Sequence, residues 1–166
     1  MKLLITDTNV FFDLMNLETL PEFFGLDFEI CTTDFVISEI LRLEQAEEIR
    51  RFIRSKQLTV YSFSAAEIEE IVNLETKRVL RRIADKSVLW KALELKCTLV
   101  TGDKSLRKEA EDSGLQVHGT IWALRQMVET KCLELKRGIE LLEKLKEVNY
   151  SIPKDEIDKL VKKLTS

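Results

Sequence analysis

Histidine is almost missing from this chain of 166 residues, and His118 is its single instance. One imidazole excludes paired-histidine ribonuclease chemistry, histidine-rich zinc sites and most catalytic triads. Cysteine is scarce as well. Cys31, Cys97 and Cys132 are odd in number, far apart and never arranged as CxxC. That argues against a disulfide framework and fits reduced, mostly buried thiols of a cytosolic protein. With only five glycines and two prolines, fibrous and disordered classes are set aside. Charge of one sign is not in excess: 26 Lys and Arg face 29 Asp and Glu, for a net charge of -3. Any surface that attracts nucleic acid must therefore be local. No apolar run is long enough to span a membrane, and the first one is cut short by Asp7, too early for a signal peptide. The expectation from these absences is a cytoplasmic protein with no membrane partner. No P-loop, GxGxxG or GxSxG occurs either.

What is present is a regular alternation. Hydrophobic residues are 45% of the chain and charged residues 33%, ordinary for a soluble globular protein. Short apolar, β-branched runs at 3–6, 27–32, 58–63, 97–101 and 115–119 read as buried strands. Between them, helical patterns occupy 9–15, 34–43, about 44–55, 64 to about 82, 85–96 and 103–114. The capping pattern Ser64…Glu67 opens one, and Gly114 ends another. Strands joined through helices require crossover connections, so the expected fold is α/β, three layers with a central parallel sheet. Beyond Gly119 only helical patterns remain. Residues 1–119 thus form the α/β body, and 120–166 form an all-helical extension that packs on it or on a partner. Its expected apolar stripes are Ile139, Leu142, Leu145 and Val148, then Ile157, Leu160, Val161 and Leu164. Trp90 and Trp122 fall in apolar patterns and read as core.

Four carboxylates carry the chemistry. In open parallel sheets, sites form outside the carboxyl ends of the strands. Asp7 follows the first strand, and Asp103 follows the strand of "CTLVTGDKSL". Each also suits a helix N-cap, which is the plainer explanation for either residue alone. Glu39 lies in the apolar arc of the helix expected over 34–43, where an unpaired carboxylate is costly. Asp85 shares the core-facing stripe of its helix, in a first turn where the macrodipole favours an anion. Acids brought together repel and raise one another's pKa, and Mg²⁺ or Mn²⁺ relieves that repulsion through hard oxygen ligands. Such ions activate water and stabilise the leaving oxygen of a phosphodiester. A metal-bound water rather than a histidine base would then be the nucleophile.

The segments "LLITDTNVF", "VISEI", "IADKSVLWKA" and "LVTGDKSLRKEAE" resemble, in order and spacing, the PIN-domain nucleases. The resemblance covers about residues 1–119, and "HGTIWALRQMV" is similar to members with extra C-terminal helices. It implies a PIN-like fold and a single-strand-specific, Mg²⁺- or Mn²⁺-dependent endoribonuclease. By position, Asp7, Glu39, Asp85 and Asp103 would be the catalytic, metal-binding acids, with Asn9 and Thr101 as polar supports. Many bacterial members of the group that the chain resembles are toxins held by a partner antitoxin protein, and many are homodimers, so an antitoxin and a second copy are both expected partners; the long helical tail departs from the compact toxin pattern. For the RNA, "KRVLRR" places Lys77, Arg78, Arg81 and Arg82 on one face of the helix expected to run to about residue 82. A solvated surface face is the alternative there, and "RRFIRSK" at 50–56 is a second basic run offset by nearby acids. Two other functions compete. One is a catalytically inactive PIN-like binding module. The other is aspartate-based phosphotransfer, since "ITDTNV" loosely resembles the haloacid-dehalogenase start, although Asn9 replaces that motif's second acid.

Overall fold

A computed structural model describes residues 2–166. Five strands form one sheet: β1 (Lys2–Thr6), β2 (Phe28–Thr33), β3 (Leu58–Tyr61), β4 (Thr98–Val100) and β5 (Val117–His118). Every neighbouring pair is parallel, in the order β3-β2-β1-β4-β5. The chain winds outward from β1 through β2 to β3, then crosses back to β4 on the other side of β1. The order therefore reverses between β1 and β4, which opens a crevice at their carboxyl ends.

The helices follow in chain order: α1 (Thr8–Asn16), α2 (Leu20–Phe24), α3 (Asp34–Ser38), α4 (Leu43–Arg54), α5 (Ala65–Val72), α6 (Ile83–Leu95), α7 (Lys104–Asp112), α8 (Thr120–Glu129), α9 (Leu135–Val148) and α10 (Lys154–Thr165). On one side of the sheet α6 packs across β1, β2 and β4, flanked by α3, α5 and α7. On the other, α1 and α2 pack together and receive α8 and α9. Phe52 of α4 stacks on Phe24 of α2 with ring centres 4.4 Å apart. The result is the three-layer α/β/α arrangement with a helical C-terminal part.

The C-terminal helices share the core of the body. Ala123, Leu124, Met127, Leu141, Leu142, Leu145 and Ile157 lie in the same buried cluster as Phe11, Leu14 and Phe23. The buried stripe of α9 is Gly138, Leu141, Leu142 and Leu145, one step round from the expected Ile139–Val148 stripe. The cause is Gly138. A Cβ there would meet Val128 Cγ2 at 2.3 Å, so the bare backbone lets α9 approach α8. A buried polar junction adds to this contact. Asp13, in α1, accepts from Thr120 Oγ1 at 2.7 Å and from Asn149 Nδ2 at 3.1 Å, tying both ends of the α8–α9 unit to the body.

Two helix boundaries correct the reading of the sequence. The helix expected over 34–43 ends at Ser38, and Glu39 is its C-cap. Glu39 is thus half-exposed at a helix end rather than inside a continuing apolar arc. The helix expected to reach about residue 82 ends at Val72, and 73–82 is irregular. The basic helical face drawn from Lys77, Arg78, Arg81 and Arg82 therefore does not form. Charge pairing wins over local periodicity: Arg78 reaches α7, where it pairs with Glu109 and with Asp112 at 2.8 Å. The short α2 has no counterpart in the expected elements; Pro21 in its first turn pre-sets its backbone. Trp90 and Trp122 are half-buried at the edge of the core. Cys31 and Cys97 are buried free thiols, and Cys132 is half-buried.

Candidate active site

Asp7 stands where β1 ends. Its backbone N–H still reaches Val100 O at 3.1 Å, so the carboxyl ends of β1 and β4 are held side by side. Its side chain accepts from Val10 N at 3.1 Å and so caps α1. The other carboxylate oxygen accepts from Thr101 Oγ1, at the end of β4. Thr101 in turn accepts from the backbone N–H of Asp103 at 3.0 Å. Asp103 caps α7 through Leu106 N at 2.7 Å. Capping and site placement are therefore the same act for both acids: the cap fixes the carboxylate where the strand ends.

The other two acids arrive from the flanking helices. Thr8 Oγ1, next to Asp7, donates to Glu39 Oε1 at 2.5 Å. Arg82 then bridges Glu39 and Asp85, with Nη1 to Glu39 Oε2 at 3.4 Å and Nη2 to Asp85 Oδ1 at 3.1 Å. Asp7, Glu39, Asp85 and Asp103 are thereby joined through Thr8, Thr101 and Arg82 around one crevice. An open cleft of about 590 Å³ adjoins them, lined by Asn9, Val79, Leu80, Arg81, Arg82, Asp85, Asp103 and Ser105; of the four acids, Asp85 and Asp103 reach its wall, while Asp7 is fully buried behind it and Glu39 stands outside the lining. Lys77 and Arg78 lie on the next concavity, with Glu75 and Lys86, rather than in this cleft.

Electrostatics follow from this packing. Burial pushes the Asp7 carboxyl up from its ordinary 3.8 to about 7. Hydrogen bonds from Thr101 and Val10 oppose the rise, the Asp85 charge adds to it, and Arg82 opposes it. Asp85 is also raised, first by burial, against the pull of Arg82, with Asp103 and Glu39 adding repulsion. The charges of Asp85, Glu39 and Asp7 hold the Arg82 guanidinium above its usual range despite burial. Asp85 is thus the acid that feels its neighbours, and the guanidinium of Arg82 is the cation beside it.

The donor set suits a hard divalent ion: carboxylate oxygens with hydroxyl and amide neighbours, and no soft ligand. Among the described residues, no three His, Cys, Asp or Glu side chains stand close enough to enclose an ion directly. Arg82 lies between two of the four acids, so taking up an ion there requires it to swing aside. Thr8 and the bridging role of Arg82 are the site features that the sequence alone did not reveal. The adjacency of Thr8 to Asp7 was the available signal for the first; for Arg82 the expected helix concealed it.

The matched family model is DUF3368, a PIN domain, and it spans residues 3–166, the helical extension included. Among solved structures, the chain is similar to a PilT N-terminus domain protein from the hyperthermophilic archaeon Sulfolobus solfataricus P2. The TM-score is 0.53 at 15% identity, covering 76% of this chain and 94% of that one. No curated protein matches.

Proposed function

Starting from a chain that belongs to the PIN-domain family, a family of nuclease-type fold, we propose that it is a divalent-metal-dependent endoribonuclease that hydrolyses single-stranded RNA. The observation that supports the reading is the chain of contacts through Thr8, Thr101 and Arg82 that links Asp7, Glu39, Asp85 and Asp103 at the β1/β4 switch point, beside a cleft lined by Asp85 and Asp103. Asp7, Glu39, Asp85 and Asp103 would hold Mg²⁺ or Mn²⁺. The ion supplies charge for the phosphodiester and activation of the attacking water.

The chain's own groups do the rest. Thr101 fixes one Asp7 oxygen, and the α1 cap fixes the other, so this carboxylate has little freedom to turn. Thr8 orients Glu39 in the same way. Arg81 and Arg82 on the cleft wall supply positive charge for the phosphate, and Asn9 and Ser105 supply neutral hydrogen-bonding groups. His118 lines a different cavity from the acid cleft, which fits a reaction without an imidazole base.

The partner expectations belong to the same proposal. Leu41, Leu43 and Val79 are exposed apolar side chains near Glu39 and Arg82 in sequence, and Val79 lines the cleft. A covering protein, either a separate inhibitor or a second copy, would bury them. Light scattering on the pure chain separates these two cases.

The test is incubation of the pure protein with a mixed-sequence single-stranded RNA, with Mn²⁺ or with EDTA. Cleavage in Mn²⁺ and none in EDTA is expected. Thermal melting gives a second readout: free Mn²⁺ at 100 times its dissociation constant adds about 2.7 kcal/mol to stability. A melting temperature indifferent to both Mn²⁺ and Mg²⁺ contradicts the proposal.

A further inference from the structure

The tail does more than cover a core. Between the carboxyl ends of β4 and β5 and the helices α8 and α10 runs a second groove of about 720 Å³. It shares the Thr101–Ser105 turn with the acid cleft. Thr101, Gly102 and Lys104 face the groove, whereas Asp103 and Ser105 face the cleft. The lining is basic: Lys104, Arg107, Arg125, Lys159 and Lys163 stand against one acid, Glu156. In a chain whose net charge is -3, that is a local reversal of sign. Arg125 is paired with Glu129 at 2.7 Å. The other four cations make no ion pair among the described residues.

Two further features mark the groove as built for a ligand. First, the His118 ring lies flat on Trp122, centres 4.2 Å apart and planes 5° from parallel, and both rings line the groove. Second, Arg107 lies along the bare backbone of Gly119 and donates to Thr101 O at 3.5 Å. A Cβ at Gly119 would sit 3.1 Å from Arg107 Nη2 and 3.3 Å from Thr101 O, so glycine makes room for the guanidinium.

We propose that this groove, formed by the C-terminal helices against the Thr101–Lys104 turn, holds the RNA strand as it leaves the acid cleft. Backbone phosphates lie along Lys104, Arg107, Lys159 and Lys163, and a base packs by the His118–Trp122 pair. Unpaired cations along a groove with aromatic surface are what a single strand requires, because phosphate contacts give affinity and stacking tolerates any base. The exposed Gly102 leaves the ridge between cleft and groove low, with nothing within 4 Å of a Cβ there. This inference rests on the ribonuclease reading for its ligand, but it assigns a binding role to the extension that the acids do not need.

The test measures binding without cleavage. A fluorescent mixed-sequence 12-mer RNA is titrated in EDTA against the full chain, the Lys159→Gln/Lys163→Gln variant and a Lys56→Gln/Lys144→Gln control. The control lysines are exposed and outside the groove. The groove variant should bind at least fivefold more weakly, and its slope of log affinity against log salt should fall by about 1.4, two phosphates at about 0.7 each. The control should match the wild type. Equal losses in both variants, or none in either, overturn the proposal, as does an oligoglutamate peptide that outcompetes the RNA. A 4-thiouridine RNA crosslinked to the wild-type chain should mark the tryptic peptide 109–125, which carries His118 and Trp122. Crosslinks confined to other peptides overturn it even if the variant misfolds. Metal-dependent cleavage with an unaffected groove variant sinks the groove alone; groove binding without cleavage sinks the nuclease alone.

Discussion

Asp7 carries a large electrostatic cost. It is fully buried, and its carboxyl is held up at about 7. A folded pKa above the unfolded value favours the protonated form. The associated stability is therefore complete below about pH 4 and is lost as pH rises through about 7. A rise of that size corresponds to about 4 kcal/mol. Urea unfolding in EDTA should show the wild type losing stability relative to Asp7→Asn between pH 4 and pH 8. A constant difference across that range would refute the burial argument. Arg82 gives the complementary prediction. Removing it as Arg82→Gln leaves Glu39 and Asp85 without their shared cation. In EDTA the variant should lose about 1 kcal/mol, since the guanidinium is partly exposed. Its melting temperature should then rise more on adding Mn²⁺ than that of the wild type, and an equal rise would show that the guanidinium and the ion do not compete. At this scale much was legible. An acid directly after a buried strand can be read from one line of sequence, as Asp7 was, and so can one just past a strand and its turn, as Asp103 was. Their connection through Thr101, and that of Glu39 through Thr8, depends on strands and helices distant in sequence.

Elements were legible where period and caps agreed. Each expected strand run holds a strand, although β3, β4 and β5 are shorter than the runs 58–63, 97–101 and 115–119, and the Ser64–Glu67 capping box is present with both reciprocal hydrogen bonds formed. They failed where a long-range pair outweighed a local pattern. The segment "KRVLRR" has helical spacing, but Arg78 gains Glu109 and Asp112 by leaving the helix, and Arg82 gains Glu39 and Asp85. The α8–α9 contact shows the same dependence on a remote partner. Gly138 looks like a weak point in a helix, worth about 1 kcal/mol if replaced by alanine. The Val128 methyl group at 2.3 Å from the added Cβ reverses the sign. Overpacking of this kind costs about 1–3 kcal/mol, so Gly138→Ala should destabilise by about 1 kcal/mol. In a Val128→Ala background the same substitution should stabilise instead. Denaturant unfolding of the four variants in the cycle measures the coupling, and simple additivity would rule out the clash.

For the whole molecule, the order β3-β2-β1-β4-β5 creates the crevice, and the C-terminal helices wall a second groove beside it. The alternation of strands and helices made the parallel sheet readable. The sequence pattern also set an extension at 120–166 that packs on the body or on a partner; the family match runs through residue 166, and one buried cluster holds residues of both parts. The division was drawn where strands stop, whereas packing continues through Leu124, Met127 and Leu142. Among the described residues no helix is long and apolar enough to cross a membrane. The proposed reaction needs the four acids to act together beside one crevice. Its most direct test is single-turnover cleavage of a single-stranded RNA in Mn²⁺ by the wild type, Asp7→Asn and Asp103→Asn, each first shown to be folded by circular dichroism. The prediction is metal-dependent cleavage by the wild type and a loss of at least about 10³-fold in each variant, of order 4 kcal/mol in barrier. Cleavage at the wild-type rate by either folded variant would contradict it.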